Sequence, residues 1–305
     1  MTVWLLLALL GLASMPARAV INIFACEPEW AALASTLVPD ARITSATTAL
    51  QDPHYIEARP GLIAAVRNAD LVLCTGAGLE AGWLPVLLQK SANAAVQSGA
   101  SGLFFAAEQV TLHKSHSHVD RSLGDVHAEG DPHIQLDPDR VAMVMAALAQ
   151  RLRQLLPGQA PAIQMRHLRW RVQWNIARAH WQEQKQQLAG MQVVIQHSSF
   201  SYLLRWLGVA MELDLEPKPG LPPSAAHLNR ILNSPELGSA RVILITPYQN
   251  TRPAEWLAQR TGLELAVMPA TVNTQYPELN ILIQNIVDTL LAHRNGPETK
   301  AQSHE

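Results

Sequence analysis

The sequence predicts an α/β protein with two Rossmann-like α/β lobes, each built on a parallel sheet, joined by one long rigid helix. Three observations predict this fold. Short apolar runs alternate with amphipathic stretches over residues 20–158, as they do in βαβ units. A single long helical pattern then covers 159–190, and the alternation resumes over 191–293. The length of 305 residues agrees with about two domains.

The first lobe is assigned to residues 20–158. Its strands are expected in short apolar runs at 20–26, 42–46, 71–74 and 102–107. Its helices are expected where apolar residues recur at helical spacing, at 29–37, 60–69, 83–92 and 139–156. Pro60 suits a first helical turn. Before the last helix lies a His-rich loop, 113–133, in which Gly124 and Gly130 disfavour regular structure.

The bridge and the second lobe follow. A helix predicted at 161–189 places Trp170, Trp174 and Trp181 on one face, which indicates core packing. The second lobe, 191–293, is expected to have strands at 191–196, 209–215, 241–245 and 265–268 and helices at 199–207, 224–232, 253–259 and 279–293. Ser224 is expected to cap its helix. Residues 294–305 read as a polar tail.

The amino terminus has the pattern of a signal peptide, residues 1–19. Its apolar run, 3–13, is too short to span a bilayer and suits the hydrophobic region of such a peptide. Ala17-Arg18-Ala19 fits the cleavage rule, so the mature chain is expected to begin at Val20 in the periplasm. No Cys follows the run, so no lipid anchor is expected. The run lacks a preceding Lys or Arg, and a buried N-terminal helix is the alternative.

Composition excludes several classes of protein. Apolar residues make up 48% of the chain, which excludes disorder throughout. The net charge of −2 shows no basic excess, so nucleic acid is not an expected partner. Two cysteines are too few for a disulfide scaffold or a Cys-based zinc module. The 12 histidines are unevenly distributed.

Three histidines occupy junctions where a cleft between the lobes is expected. His54 and His133 each follow a proline in a loop of the first lobe, and His197 directly follows the first strand of the second lobe. Imidazole is a common zinc ligand, and a preceding proline stiffens the loop that aims the ring. The three positions together indicate a metal site in the cleft.

At these residues the chain resembles the periplasmic zinc- and manganese-binding receptors of ABC importers (cluster A-I), over essentially all of residues 20–293. The matching segments are Asp52-Pro53-His54, Asn68-Ala69-Asp70-Leu71-Val72, the stretch 131–138, His197 with Phe200, Tyr202 and Gly208, and Glu216-Pro217 with Pro223-Ser224. The resemblance implies two lobes, a rigid backbone helix, and a metal held between the lobes by His54, His133 and His197. It also implies delivery to a membrane permease subunit, without catalysis. A monomer is expected.

The fourth ligand departs from the family pattern. The family commonly supplies a carboxylate from a late loop of the second lobe, but residues 265–271 here contain no acid. His127 is the first candidate for the fourth position, water the second, and Glu216 or Glu57 the third. A His-rich, acid-poor set favours Zn²⁺ over Mn²⁺, and Cu²⁺ and Ni²⁺ remain open.

Several features of the sequence have more than one interpretation. His113, His116 and His118 form either a capture loop for metal or an unspecialised polar loop. Cys26 and Cys74 are open to three interpretations: buried thiols, which are favoured because parallel neighbours seldom have good bridging geometry, a disulfide, or metal ligands. Two alternative functions are considered. One is a secreted zinc-dependent hydrolase that uses three histidines and a bound water, and the other is a periplasmic metal chaperone or buffer.

Overall fold

The computed structural model describes residues 20–113 and 127–295. The predicted signal peptide, His116, His118 and most of the polar tail lie outside these residues. Each half of the chain forms a four-stranded parallel sheet with helices packed against it. The described residues contain no helix that is both long and apolar enough to cross a membrane.

The first sheet has the strand order β2-β1-β3-β4. Its strands are β1 (Asn22–Ala25), β2 (Arg42–Ser45), β3 (Leu71–Cys74) and β4 (Leu103–Phe105). The helices of this half are α1 (Pro28–Leu37), α2 (Pro60–Arg67), α3 (Leu84–Ser91) and α4 (Pro138–Leu155). Each of these elements lies within two residues of its predicted limits. Proline occupies the first turn of all four helices, where its missing N–H costs nothing.

The second sheet repeats this arrangement with the order β6-β5-β7-β8. Its strands are β5 (Gln192–Ile195), β6 (Ala210–Asp214), β7 (Ala240–Ile245) and β8 (Glu264–Val267). The helices are α6 (Ser201–Leu207), α7 (Ala225–Leu232), α8 (Arg252–Thr261) and α9 (Leu279–His293). Ser224 caps α7 as expected, since its side chain accepts a hydrogen bond from the His227 amide. In both sheets the carboxyl ends of the strands point toward the cleft between the lobes.

A long helix, α5 (Ala160–Lys185), connects the two halves and packs against α1 and α4 of the first and α6 and α9 of the second. Its tryptophans form the predicted core face. Trp174 and Trp181 are 2% and 0% exposed, and their indole N–H groups donate to Pro138 O and Gln284 Oε1. Trp170 stacks on Trp174. Helix α5 is therefore anchored in both lobes by apolar burial and by buried hydrogen bonds.

The interpretation of Cys26 and Cys74 as free thiols was wrong, because the two residues form a disulfide. They directly follow Ala25 and Leu73, which are partners in the parallel pairing of β1 with β3. This register brings the two Cα atoms to 4.7 Å, inside the range that a disulfide requires. The bond links the ends of two central strands beside the cleft.

Candidate metal centre

The structure brings His54, His133 and His197 into one cluster. Their ligand nitrogens lie within 4.8 Å of one another. The three residues are 9%, 4% and 6% exposed, and the His133 and His197 rings meet edge to face at 4.9 Å. His54 lies in the loop after β2, His133 lies before α4, and His197 lies two residues after the end of β5. Two lobes therefore contribute to one buried group of imidazoles.

Each of the three rings is held by a carboxylate at Nδ1. Asp52 Oδ1 lies 2.7 Å from His54 Nδ1, Asp131 Oδ1 lies 2.7 Å from His133 Nδ1, and Glu216 Oε2 lies 3.0 Å from His197 Nδ1. A carboxylate at Nδ1 places the proton there and leaves Nε2 with a free lone pair. The arrangement orients three Nε2 atoms as electron-pair donors.

Two of these Nε2 atoms are left without a partner. His133 Nε2 and His197 Nε2 are buried, and neither makes a hydrogen bond with the described residues. An unpaired polar atom in a protein interior is costly and needs an explanation. A cation bound between the rings would supply the missing partner, so the residues present fit a divalent metal ion as cargo.

Short local turns determine the orientation of the His54 and His133 rings in the first lobe. The Asp52 carboxylate accepts from the His54 amide at 3.0 Å as well as from its ring, and Asp131 does the same for His133 at 3.1 Å. The intervening Pro53 and Pro132 fix the backbone angle φ in each turn. Each Asp-Pro-His segment is thus a compact unit in which one side chain orients both the backbone and the ring.

The position of His197 is determined in a different way. Its backbone has φ of +67°, a conformation that residues other than glycine rarely adopt. Asp214 Oδ1 accepts hydrogen bonds from both the His197 and the Glu216 amides, at 3.1 and 2.9 Å. The strained residue is therefore held by the carboxyl end of the neighbouring strand β6, and the strain coincides with the ring that completes the cluster.

Asp131 also connects the lobes. Its Oδ2 accepts a hydrogen bond from Ser201 Oγ at 2.6 Å, and its backbone carbonyl accepts from the Tyr202 hydroxyl at 2.7 Å. Both donors belong to α6 of the second lobe. The carboxylate that orients His133 is therefore fixed from the opposite lobe.

The charges of the cluster follow from these contacts. Burial would raise the pKa of Asp131, but the hydrogen bonds and charge of His133 outweigh it and hold the pKa far below the usual range. Burial lowers the pKa of His133 despite the opposing effect of Asp131. Burial also acts to lower the pKa of His197, but the adjacent Glu216 prevails and raises it. An ionised Asp131 beside a His133 ring whose neutral form is favoured gives this part of the site an environment that suits a cation.

His127 lies beside the cluster rather than within it. Its Nε2 is 3.3 Å from His54 Nε2, and the two rings stack at 5.4 Å. The glycine at position 78 leaves room for the ring, since a Cβ there would lie 3.1 Å from His127 Nδ1. Burial, with the neighbouring His54 and His133, lowers the pKa of His127 to about 3. His127 is therefore neutral at pH 7 and keeps a lone pair for a metal.

The other candidates for the fourth position occupy different surroundings. Glu216 Oε2 contacts His197 Nδ1 and accepts from the Gly220 amide at 2.8 Å, so Glu216 supports a ring. Glu57 is exposed. In the stretch 265–271, Ala270 O accepts from Gln135 Nε2, and Thr271 contacts Glu29. His113 stacks on the Tyr202 ring at 4.8 Å, and its backbone carbonyl accepts a hydrogen bond from the Asp131 amide at 2.8 Å.

Sequence reasoning did not assign roles to Asp52 and Asp131, although both lie in the segments that carried the resemblance. A signal was available, because an aspartate stands two residues before a histidine, across a proline, in both segments. Glu216 was considered only as a ligand. No local pattern relates it to His197, which lies 19 residues earlier in the chain.

Comparison with known proteins agrees with this architecture. The family model of the periplasmic zinc-uptake complex component A, ZnuA, matches residues 23–290. No curated protein sequence is significantly similar to the chain. Among solved structures, a crystal structure of ZnuA is 19% identical, with a TM-score of 0.76 over 90% of this chain and 100% of that one.

Two further structures have the same fold. FpvC from Pseudomonas aeruginosa, solved in complex with Mn²⁺, is 18% identical, with a TM-score of 0.74 over 91% of this chain and 99% of that one. The periplasmic zinc-binding protein TroA from Treponema pallidum is 18% identical, with a TM-score of 0.73 over 90% and 99%. Since the family model covers most of the sequence, the chain belongs to the ZnuA family of periplasmic metal-binding receptors, which serve ABC importers and are not enzymes.

Proposed function

We propose that this protein captures Zn²⁺ between its lobes and delivers it to the permease subunit of an ABC importer. His54, His133 and His197 are the ligands in this proposal, each through Nε2. The observation that supports it best is the pair of buried Nε2 atoms without partners, in rings that carboxylates hold at Nδ1. Export to the periplasm after cleavage at Ala19, without a lipid anchor, and a monomeric state complete the proposal.

The choice of zinc follows from the donor atoms. Three imidazole nitrogens suit Zn²⁺, whereas Mn²⁺ prefers carboxylate, carbonyl and water oxygens. The carboxylates near the cluster contact ring nitrogens and amides instead of pointing their free oxygens at the centre. Imidazole also binds Cu²⁺ and Ni²⁺, and FpvC was solved with Ni²⁺ as well as Mn²⁺. Metal competition therefore has to include these ions.

Capture and release follow from the division of the ligands between lobes. His54 and His133 belong to the first lobe and His197 to the second, so a bound ion bridges the cleft. Helix α5 contacts helices of both lobes. We infer that a small change in the approach of the lobes moves His197 away from the other two rings and frees the ion for the permease.

The function is tested by metal titration and by growth. The mature chain, residues 20–305, is expected to bind one Zn²⁺, with Mn²⁺ bound at least about tenfold more weakly. Deletion of the gene is expected to impair growth when zinc is limiting. Tighter binding of Mn²⁺ would contradict the metal assignment. Normal growth of the deletion strain would contradict delivery and favour a chaperone or buffer.

His127 is proposed as the fourth ligand. The substitution His127→Ala is expected to weaken Zn²⁺ binding by about 10- to 100-fold, because water can enter this half-buried position and replace the lost nitrogen. The matched control is His180→Ala, since His180 is exposed on α5. Equal affinities of the His127 variant and the wild type, measured by competition with a chelator, would assign the fourth position to water.

A further inference from the structure

A small cavity of about 30 Å³ lies between the lobes next to the histidine cluster. The first lobe contributes Glu27 and Glu29 to its wall, the second contributes Tyr248 and Thr271, and His133 borders it. A cavity of this size can hold a water molecule or two. Two buried acids therefore line the same small cavity as a histidine of the metal centre.

Glu29 makes a contact across the cleft. It lies in the first turn of α1 and is 3% exposed, and its Oε2 accepts a hydrogen bond from the Thr271 hydroxyl in the loop after β8. Nearby, Gln135 Nε2 donates to Ala270 O at 3.2 Å. Two side chains of the first lobe thus hold adjacent residues of one loop of the second lobe. Gln135 is two residues from His133, so this contact and the metal centre share a segment.

Glu29 belongs to a set of three buried acids. Glu27 accepts from the Thr75 hydroxyl at 3.0 Å, and its other oxygen, Oε1, is buried and has no hydrogen-bond partner in the part of the chain that the structure describes. Glu80 accepts from the Thr75 and Gly76 amides at 2.7 and 3.0 Å. These contacts supply neutral donors but no cation. The group therefore contains more carboxyl groups than its immediate surroundings can stabilise in the ionised form.

We propose that the Glu29–Thr271 contact is a proton-sensitive latch between the lobes, which holds a proton in the metal-free protein and releases it when a divalent cation enters the cleft. The inference rests on the proposed function, because the cation is its cargo. A dication near a buried carboxyl favours the ionised form, and the cavity offers little water to screen the two charges. The ionised carboxylate then accepts a stronger hydrogen bond from Thr271, which tightens the approach of the lobes.

The charges around Glu29 support this latch. Burial is the main cause that raises the pKa of Glu29 to about 7, and Glu80 adds to it while the Thr271 hydrogen bond opposes it. Burial and the two other acids raise the pKa of Glu27 well above its usual value, and burial raises that of Glu80 to about 7. Across the cavity, Tyr248 stays neutral because burial raises its pKa to about 12, and burial lowers the pKa of His133.

The direction of the pH effect follows by linkage. Metal binding that expels a proton must weaken as the proton concentration rises, so Zn²⁺ affinity falls as the pH drops through about 7. In the metal-free protein a raised carboxyl pKa stabilises the fold fully below the unfolded value, and this stabilisation is lost as the pH rises through about 7. Ionised Glu29 therefore destabilises the metal-free protein and favours the metal-bound one.

Calorimetric Zn²⁺ titrations of the mature chain at pH 7, in buffers of different ionisation enthalpy, count the protons released. Glu29→Gln keeps the shape and the hydrogen bond but cannot ionise, so it is expected to release about half a proton fewer per zinc, since a group at its pKa is half protonated. Its affinity is also expected to change less between pH 6 and 8. Metal-free Glu29→Gln is expected to melt about 2–4 °C above the wild type at pH 8 and equally at pH 5.

Two further variants separate charge from contact. Thr271→Val removes the hydroxyl and keeps the acid, so proton release is expected to persist while Zn²⁺ affinity falls severalfold. Glu255→Gln on the exposed face of α8 is the matched control, with no expected change. Wild-type zinc binding with identical proton release and melting in Glu29→Gln overturns the latch alone. Failure of the wild type to bind zinc at any pH overturns the latch and the proposed function together.

Discussion

Replacing His133 by alanine is expected to weaken Zn²⁺ binding by a factor of a few hundred. Zinc sites with four ligands have binding free energies of about 10–16 kcal/mol, so one ligand accounts for roughly 2.5–4 kcal/mol. His133 is the most buried of the three histidines, at 4% exposure, which limits the access of a replacing water. Competition with a chelating dye at pH 7.5 measures the loss.

A histidine of the bridging helix provides the control for this variant. His180 is exposed on α5, so His180→Ala is expected to leave Zn²⁺ affinity unchanged. The His133 variant leaves Asp131 buried without its ring partner, so circular dichroism has to establish that the variant is folded. A folded His133→Ala protein with wild-type affinity would show that zinc binds elsewhere on the chain.

Replacing Trp181 by alanine is expected to lower the free energy of unfolding by about 3–5 kcal/mol. The Trp181 ring is fully buried and meets the Trp174 ring edge to face at 5.5 Å. Its indole N–H donates to Gln284 Oε1 at 2.9 Å, which ties α5 to α9. The substitution leaves a large cavity at the contact of the bridging helix with the second lobe. Urea unfolding of the metal-free protein measures the change.

Two related variants separate packing from hydrogen bonding at this contact. Trp181→Phe keeps much of the apolar volume and loses the hydrogen bond, so a smaller loss is expected than with alanine. Trp170→Ala removes a partly exposed ring that stacks on Trp174, and a smaller loss is again expected. A change below about 1 kcal/mol for Trp181→Ala would contradict a structural role for this ring.

Most of the fold was predictable because its signals are local. Helix α9 occupies its predicted range, Leu279–His293, since the apolar spacing and the flanking residues are contained in that segment. The shorter strands differ from the prediction by a residue or two at their ends, where pairing with a neighbour decides which residues enter the sheet. The prolines in the first turns of α1 to α4 are visible in the sequence alone.

The candidate site was predictable only in part. The motifs around His54 and His133 are short, and the distance from each ring to its aspartate is set within three residues. The partner of His197 comes from the end of a different strand, so only the packing of β5 against β6 brings Glu216 near. The disulfide was missed for the same reason, since it depends on the register between β1 and β3.

By itself, the sequence determined the alternation of helices and strands, the long central helix, and the histidines that face the cleft. These features depend on spacing and on turns within a few residues. The tertiary structure decided which distant residues meet: Cys26 with Cys74 across 48 positions, His197 with Glu216 across 19, and Glu29 with Thr271 across 242. Such contacts arise from sheet register and from the packing of one lobe on the other, and both are properties of the whole chain.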